Sequence, residues 1–482
     1  MQSNGAKLMI PPLVRALSTS TAAAGSAVAV SKPSSGGSLI NLLGFGSSRV
    51  TTPLSEALPG APIPARSSAP SAPAKLETSA LAEGVKVAAL KTTGPSATVA
   101  LLVGGGSSAE TDATAGASKA LAAMAFKATN ERSTFRVTRE LEKIGTASAT
   151  ATREGIFYAI QTNPMHIPEA TELLLDTVLN AKLQYFEVRD NAEVAKAVGA
   201  ASPSAVLEDI LHRVAYDGPL GQPSVVDPSV LEGMTNETLR EYHASLLYPG
   251  NLLLASYGTD VNHLKVLSQP VVAAAHLGQG SAVPASMYVG GASSVVAHSP
   301  LTHAALAFEA KGGLSDTKAS AVAAVAKALL DESRAALPHA DNCGDVSAVS
   351  AFTHLYKGTG LVGVCASAAP SKSSQLVDSL FKKVEAVASG VSEQQLKVAK
   401  AVAMASYKGA LATGATGLPV IAAELMARGS SDAAQFAAAV ESVTPAQVAS
   451  FIKDSAKSSP TLVSYGGLAR LPRLDSVLKR LA

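Results

Sequence analysis

The sequence predicts an α+β fold that is built twice, and three observations carry that prediction. Short apolar runs of strand character alternate with Ala-rich helical segments. Several strand runs lie close enough to form hairpins, which points to an antiparallel sheet covered by helices. The order of segments then returns about 205 residues later.

The repeat is read from four matches. ATVALLV over 97–103 returns as THAALAF over 302–308, and GIFYAIQTNP from Gly155 returns as GLVGVCASAAP from Gly360. AKAV over 195–198 returns over 399–402, and Ser256-Tyr257-Gly258 returns as Ser464-Tyr465-Gly466. One domain is therefore expected over 76–267 and a second over 289–482, joined by a linker over 268–288.

Within the first repeat, 85–90 and 97–103 read as strands paired around the turn Thr93-Gly94-Pro95. An Ala-rich helix is expected over 116–127. A second helix over 134–144 has Phe135, Leu141 and Ile144 as its apolar positions. Residues 148–152 and 156–162 read as a hairpin. An amphipathic helix over 168–181 carries Leu174, Val178 and Ala181 on one stripe, and 188–211 reads as more helix. A helix over 236–246 is expected to be capped by Thr235, and 252–257 closes the repeat as a buried strand.

Composition narrows the function classes. The 482 residues carry 39 Lys+Arg against 37 Asp+Glu, a balance that argues against a nucleic-acid partner. With 16% charged and 47% hydrophobic residues, the chain has ample material for a core. Its two cysteines, Cys343 and Cys365, exclude a disulfide framework and a multi-Cys metal centre. The apolar stretches between Lys265 and Glu309 are broken by Pro, Gln and Gly, so no transmembrane helix is expected.

The first 50 residues contain no Asp or Glu. They hold scattered Lys and Arg among Ser, Thr, Ala and Leu, the composition of an organellar transit peptide. That composition fits mitochondrion or plastid. Residues 51–75 are Pro/Ala-rich and read as an extended linker.

Direct motifs for chemistry are sparse. Gly104-Gly105-Gly106 lacks the Lys-Ser/Thr of a phosphate loop and reads as a tight strand-to-helix connection. None of the nine His pairs at helical ligand spacing. There is no G-x-S-x-G elbow. No haem or iron–sulfur ligand set exists, and no cofactor is expected.

The segment 104–146, GGGSSAETDATAGASKALAAMAFKATNERSTFRVTRELEKIGT, resembles the first half of the pitrilysin-type zinc peptidases. In that family a helix bears H-x-x-E-H, followed by an M-x-F-K-G-T-like stretch. Here Met124-Ala125-Phe126-Lys127-Ala128-Thr129 stands for the latter. The resemblance therefore puts Lys119 at the first zinc His, Ala122 at the general-base Glu and Ala123 at the second His. It puts the distal zinc ligand near Ala195, with Glu193 the nearest carboxylate. Two His and a carboxylate bind zinc and activate its water; an ammonium and two methyl groups do neither. The resemblance thus implies a degenerate peptidase, with neither metal nor catalytic residues.

The second half separates the non-catalytic members of the family. The stretch 329–346 holds a single glycine, Gly344, where the alpha subunits of processing peptidases carry a Gly-rich loop. Residues 346–363 look like the core 2 type of respiratory complex III. The implied fold is two similar domains, each a mainly antiparallel sheet covered by helices, facing each other as a clam shell. The implied role is a scaffolding subunit on the matrix side of the mitochondrial inner membrane. Its partners would be a core 1-type subunit, cytochrome b, cytochrome c1 and the Rieske protein. An alpha-type subunit of the processing peptidase is the alternative, and one protein can fill both roles.

Overall fold

The computed structural model describes residues 76–92, 94–198, 202–225, 230, 233–280, 283–331 and 349–467. The expected leader, the linker over 51–75, Cys343 and most of the 329–346 stretch lie outside them.

The first half opens with β1 (Leu76–Ala80), β2 (Lys86–Leu90) and β3 (Ala97–Gly104). Helices α1 (Ala117–Ala123) and α2 (Thr134–Ile144) lead to the hairpin of β4 (Gly145–Ala151) and β5 (Gly155–Thr162). Next come α3 (Ile167–Leu179), α4 (Tyr185–Val198), α5 (Pro203–Ala215) and the short β6 (Tyr216–Asp217). Helix α6 (Asn236–Leu246), β7 (Leu252–Tyr257) and α7 (Val261–Ala274) follow. The second half starts with β8 (Met287–Tyr288), β9 (Gly291–Val296), β10 (Thr302–Glu309) and α8 (Thr317–Leu330). It continues through β11 (Ser350–Leu355), β12 (Gly360–Ala368), α9 (Ser373–Ser389) and α10 (Glu393–Leu411). Helices α11 (Gly414–Arg428), α12 (Ala433–Ser442) and α13 (Pro445–Lys457) precede the last strand, β13 (Thr461–Gly466).

The chain is α+β, as expected, and the duplication is visible in the sheets. The first has the order β1-β2-β7-β3-β5-β4 and the second β11-β12-β10-β13-β9. Strands β2, β7, β3, β5 and β4 correspond in turn to β9, β13, β10, β12 and β11. Each sheet is antiparallel except for one parallel pair, β2 with β7 and β13 with β9. A tight glycine recurs as well. Gly106 and Gly313 both have φ of +48°, and a Cβ on either would stand 2.1 Å from a carbonyl oxygen of the neighbouring hairpin turn.

Several expectations are corrected. The strands β2 and β3 do not pair with each other, because β7 lies between them, parallel to β2 and antiparallel to β3. A central apolar strand from far along the chain satisfies both edges. Helix α1 is only seven residues long. It stops at Met124, and Phe126 two residues on takes a left-handed φ of 59°. On α2 the buried residues are Val137 and Ile144, whereas Phe135 is 72% exposed. Helix α3 is buried over most of its surface rather than on one stripe, because it lies between the first sheet and α7. The helix expected over 188–211 is two helices, α4 and α5, and Pro203 opens the second. The stretch expected as a linker from 268 begins inside α7, whose Val272 is in the core. The hairpin β4–β5, the Thr235 cap of α6 and the buried β7 stand as expected.

Each sheet has a second apolar face, and each is covered by a helix from the other half. Leu418, Ile421, Ala422 and Leu425 of α11 pack on Ala88, Ala100, Phe157, Leu253 and Ala255 of the first sheet. Gly414 lets this helix start against β3, since a Cβ there would meet Thr98 Oγ1 at 2.4 Å. Reciprocally, Leu207, Leu211 and Ala215 of α5 pack on Ala305, Ala307, Leu361 and Val463 of the second sheet. Among the described residues no single helix is long and apolar enough to cross a membrane, and α10 and α11 meet at a bend of 107°.

Candidate functional site

Helix α1, which carries the positions assigned to the degenerate zinc motif, is held at its start by a carboxylate. The main-chain N–H groups of Gly116 and Ser118 donate to Glu110 at 2.7 and 2.8 Å. This satisfies helix donors that would otherwise be orphaned. Burial raises the pKa of Glu110 above the ordinary carboxylate value, against the lowering effect of those bonds.

From this helix Lys119 points to solvent, Ala122 packs half-buried on the core and Ala123 is exposed at the last turn. The side chains at Glu193 and Ala195 lie outside the described residues. The groups at 119, 122 and 123 do not fit a zinc ion: none has a lone pair that coordinates at neutral pH. Among the described residues no group of three His, Cys, Asp or Glu side chains is arranged to hold a metal.

Lys119 lines a cavity of about 510 Å³ on the seam between the halves. The first half contributes Thr152 and Arg153 from the β4–β5 turn, with Glu208 and Asp209 from α5. The second half contributes Thr353, His354 and Tyr356 from the end of β11. Arg153 is buried; its Nη2 bonds Asp209 Oδ1 at 2.6 Å, and its Nη1 donates to the carbonyls of Leu220 and Gln222. This guanidinium pins the β4–β5 turn to α5.

Polar contacts cross the seam, among them these four. His354 Nε2 lies 3.2 Å from Glu208 Oε1. The main-chain N–H of Lys357 donates to both carboxylate oxygens of Glu154, at 3.0 and 3.2 Å. The hydroxyls of Tyr216 and Thr359 are 3.4 Å apart. The fourth contact involves His212, which is fully buried. Its Nδ1 is 2.7 Å from the Glu208 carbonyl and its Nε2 is 2.7 Å from the Tyr356 hydroxyl. A carbonyl only accepts, so Nδ1 carries the proton and Nε2 accepts from Tyr356. Burial, and then the nearby Arg153 charge, push the His212 pKa down to about 2. Burial likewise lowers His354 and raises Glu154. These groups clamp one half to the other, and no nucleophile is paired with a base among them.

Sequence reading did not single out Arg153, His212 or Tyr356. One signal was present: the repeat places the turn after β4 and the turn after β11 at equivalent positions. The turns touch in the folded chain, where Glu154 accepts from the Lys357 N–H, and no local pattern encodes that contact.

The comparisons agree with this architecture. Residues 86–228 match the family described as Insulinase (Peptidase family M16), and residues 233–402 match Peptidase M16 inactive domain. The chain is 30% identical over 479 residues to mitochondrial-processing peptidase subunit alpha of Solanum tuberosum, covering 94% of each chain. It is 29% identical to the probable alpha-2 subunit of Arabidopsis thaliana, covering 85% of this chain and 86% of the relative. It is 25% identical to cytochrome b-c1 complex subunit 2 of Mus musculus, covering 85% of this chain and 93% of the relative. With the duplicated sheets and matches along both halves, the chain belongs to peptidase family M16.

Proposed function

We propose that this chain is a non-catalytic subunit of a mitochondrial M16 heterodimer, of the alpha and core 2 type. It supports a partner of the beta or core 1 type rather than cleaving peptides itself. The observation that carries the reading is helix α1, which offers Lys119, Ala122 and Ala123 where zinc chemistry needs two ligands and a base. In the core 2 role it scaffolds the complex that passes electrons from ubiquinol to cytochrome c. It would stand on the matrix side of the inner membrane, beside cytochrome b, cytochrome c1 and the Rieske subunit. The alpha role, binding presequences for a catalytic partner, is favoured by the 30% identity to a processing-peptidase alpha subunit. The single glycine in 329–346 favours the core 2 role. One protein serving both assemblies accommodates both observations.

The test is native-gel separation of solubilised mitochondria with the chain identified by mass spectrometry. Co-migration with cytochrome b and with ubiquinol–cytochrome c reductase activity is expected. Migration only as a soluble heterodimer with presequence-cleaving activity would assign the alpha role alone. Migration as a lone chain would overturn the proposal.

A further inference from the structure

The two sheets differ by one strand, and the difference leaves an open edge. In the first sheet the outer edge of β2 is closed by β1, antiparallel, with Leu76 opposite Leu90 and Ala80 opposite Lys86. The counterpart of β2 is β9, whose only strand partner among the described residues is β13. No strand among the described residues takes the place of β1.

The edge of β9 is chemically prepared for a strand. The N–H groups of Gly291 and Ala297 bond inward to the carbonyls of Pro460 and Gly466. By the alternation of a parallel ladder, Ala292, Ser294 and Val296 turn their N–H and C=O groups outward. Ser294 is exposed, Val296 is 78% exposed, and Met287, Val289 and Leu301 beside the strand are exposed as well. Folded proteins normally blunt such an edge with charge, proline or a bulge. Here no Asp, Glu, Lys or Arg occurs anywhere from Val266 to Phe308. The closed edge differs, since Glu77 sits on β1 and Lys86 on β2.

We infer that β9 is a docking edge that receives an extended, uncharged strand from another subunit of the assembly, antiparallel to it. The duplication supplies the register. Lys86 pairs with Leu253 on β7 as Gly291 pairs with Thr461 on β13, so the incoming strand lies opposite Gly291–Val295 as β1 lies opposite Lys86–Leu90. Main-chain bonds to Ala292 and Ser294 hold it, and Val295, Val296 and Leu301 select small or β-branched side chains. A charged strand would find no counter-charge along this edge. The inference rests on the reading of the chain as a subunit of a heteromeric assembly.

The experiment is hydrogen exchange, resolved to single amides, on the natively purified assembly and on the purified full chain. In the assembly the amides of Ala292, Ser294 and Val296 are expected to exchange at least ~100-fold more slowly than in the lone chain. Those of Ser293 and Val295 are expected to be protected in both. A photo-crosslinker on V296C should capture one uncharged segment of a different subunit. S294P removes an outward N–H without touching the bonds to β13, and V296K adds a gatekeeping charge. Both are expected to weaken assembly while leaving the chain's own melting cooperative. An assembly that forms with these amides exchanging freely overturns the inference alone. So does crosslinking to residues 292–296 of a second copy. A chain that migrates alone on native gels overturns the functional reading, and this inference with it.

Discussion

His212 Nε2 accepts a hydrogen bond of 2.7 Å from the Tyr356 hydroxyl, and this bond joins the first half of the chain to the second inside the molecule. His212 sits on α5, the helix that the first half lends to the second sheet. Tyr356 follows β11, at the tip of the hairpin that faces the β4–β5 turn.

Tyr356→Phe should leave the His212 acceptor buried without a partner. The expected cost is about 1–3 kcal/mol. Urea unfolding of the full chain checks it, and an unchanged midpoint would mean that the ring relaxes to another donor.

Acid should weaken the clamp. An unfolded His takes up a proton below its ordinary pKa of 6.5, whereas folded His212 stays neutral until about 2. The unfolded state therefore binds more protons in that window, and stability falls as pH falls below 6.5. The slope from this group is at most about 1.4 kcal/mol per pH unit. His243 and His354 are also lowered by burial and act in the same direction. Glu110 and Glu154 are raised by burial and act in the opposite one. The stability difference between the wild type and His212→Gln should narrow between pH 7 and pH 5. A constant difference would count against a neutral buried His212.

Arg132 is the second buried knot. Its guanidinium reaches Asp176 at 2.6 Å, Glu172 at 2.5 Å and Glu140 at 3.2 Å, while Thr129 Oγ1 also donates to Asp176. The knot holds the loop after α1 against α3. Arg132→Leu should strand the buried Asp176 carboxylate and cost about 3–5 kcal/mol. Arg132→Lys should recover part of that, since an ammonium cannot match three carboxylates at once. Thermal melts of the two variants should rank in that order.

Rebuilding the zinc motif should not by itself restore a peptidase. The triple variant Lys119→His, Ala122→Glu, Ala123→His supplies two ligands and a base, while the position expected for the third ligand is Ala195, and it forces a carboxylate onto the half-buried core position 122. Neither stoichiometric zinc nor cleavage of a presequence peptide is expected. Robust cleavage would mean that a distal ligand is already in place.

A chain truncated after Lys265 should fail to fold cooperatively. It would lose α11, whose Leu418, Ile421 and Leu425 cover the first sheet and stabilise it by roughly 1.5–3 kcal/mol each. Its own α5 would be left without the second sheet. A soluble fragment with a sharp melting transition would contradict this dependence.

The sequence by itself determined the duplication, the mixed composition of each half and the absence of His, Asp and Glu from α1. These are properties of local pattern and residue identity: apolar periodicity, recurrence at a near-constant offset, and the side chains that the chain carries at 119, 122 and 123. It also determined the charge-free run from Val266 to Phe308. Tertiary structure alone decided that β7 enters between β2 and β3, that Phe135 turns outward and Val137 inward, and that α5 and α11 exchange places beneath the two sheets. The buried joint of His212, Tyr356 and Arg153 belongs to that second class. His212 and Tyr356 lie 144 residues apart in the chain, and the neutral state of His212 depends on its being buried there. Periodicity reports which face of a segment is apolar; it does not report which other segment buries that face.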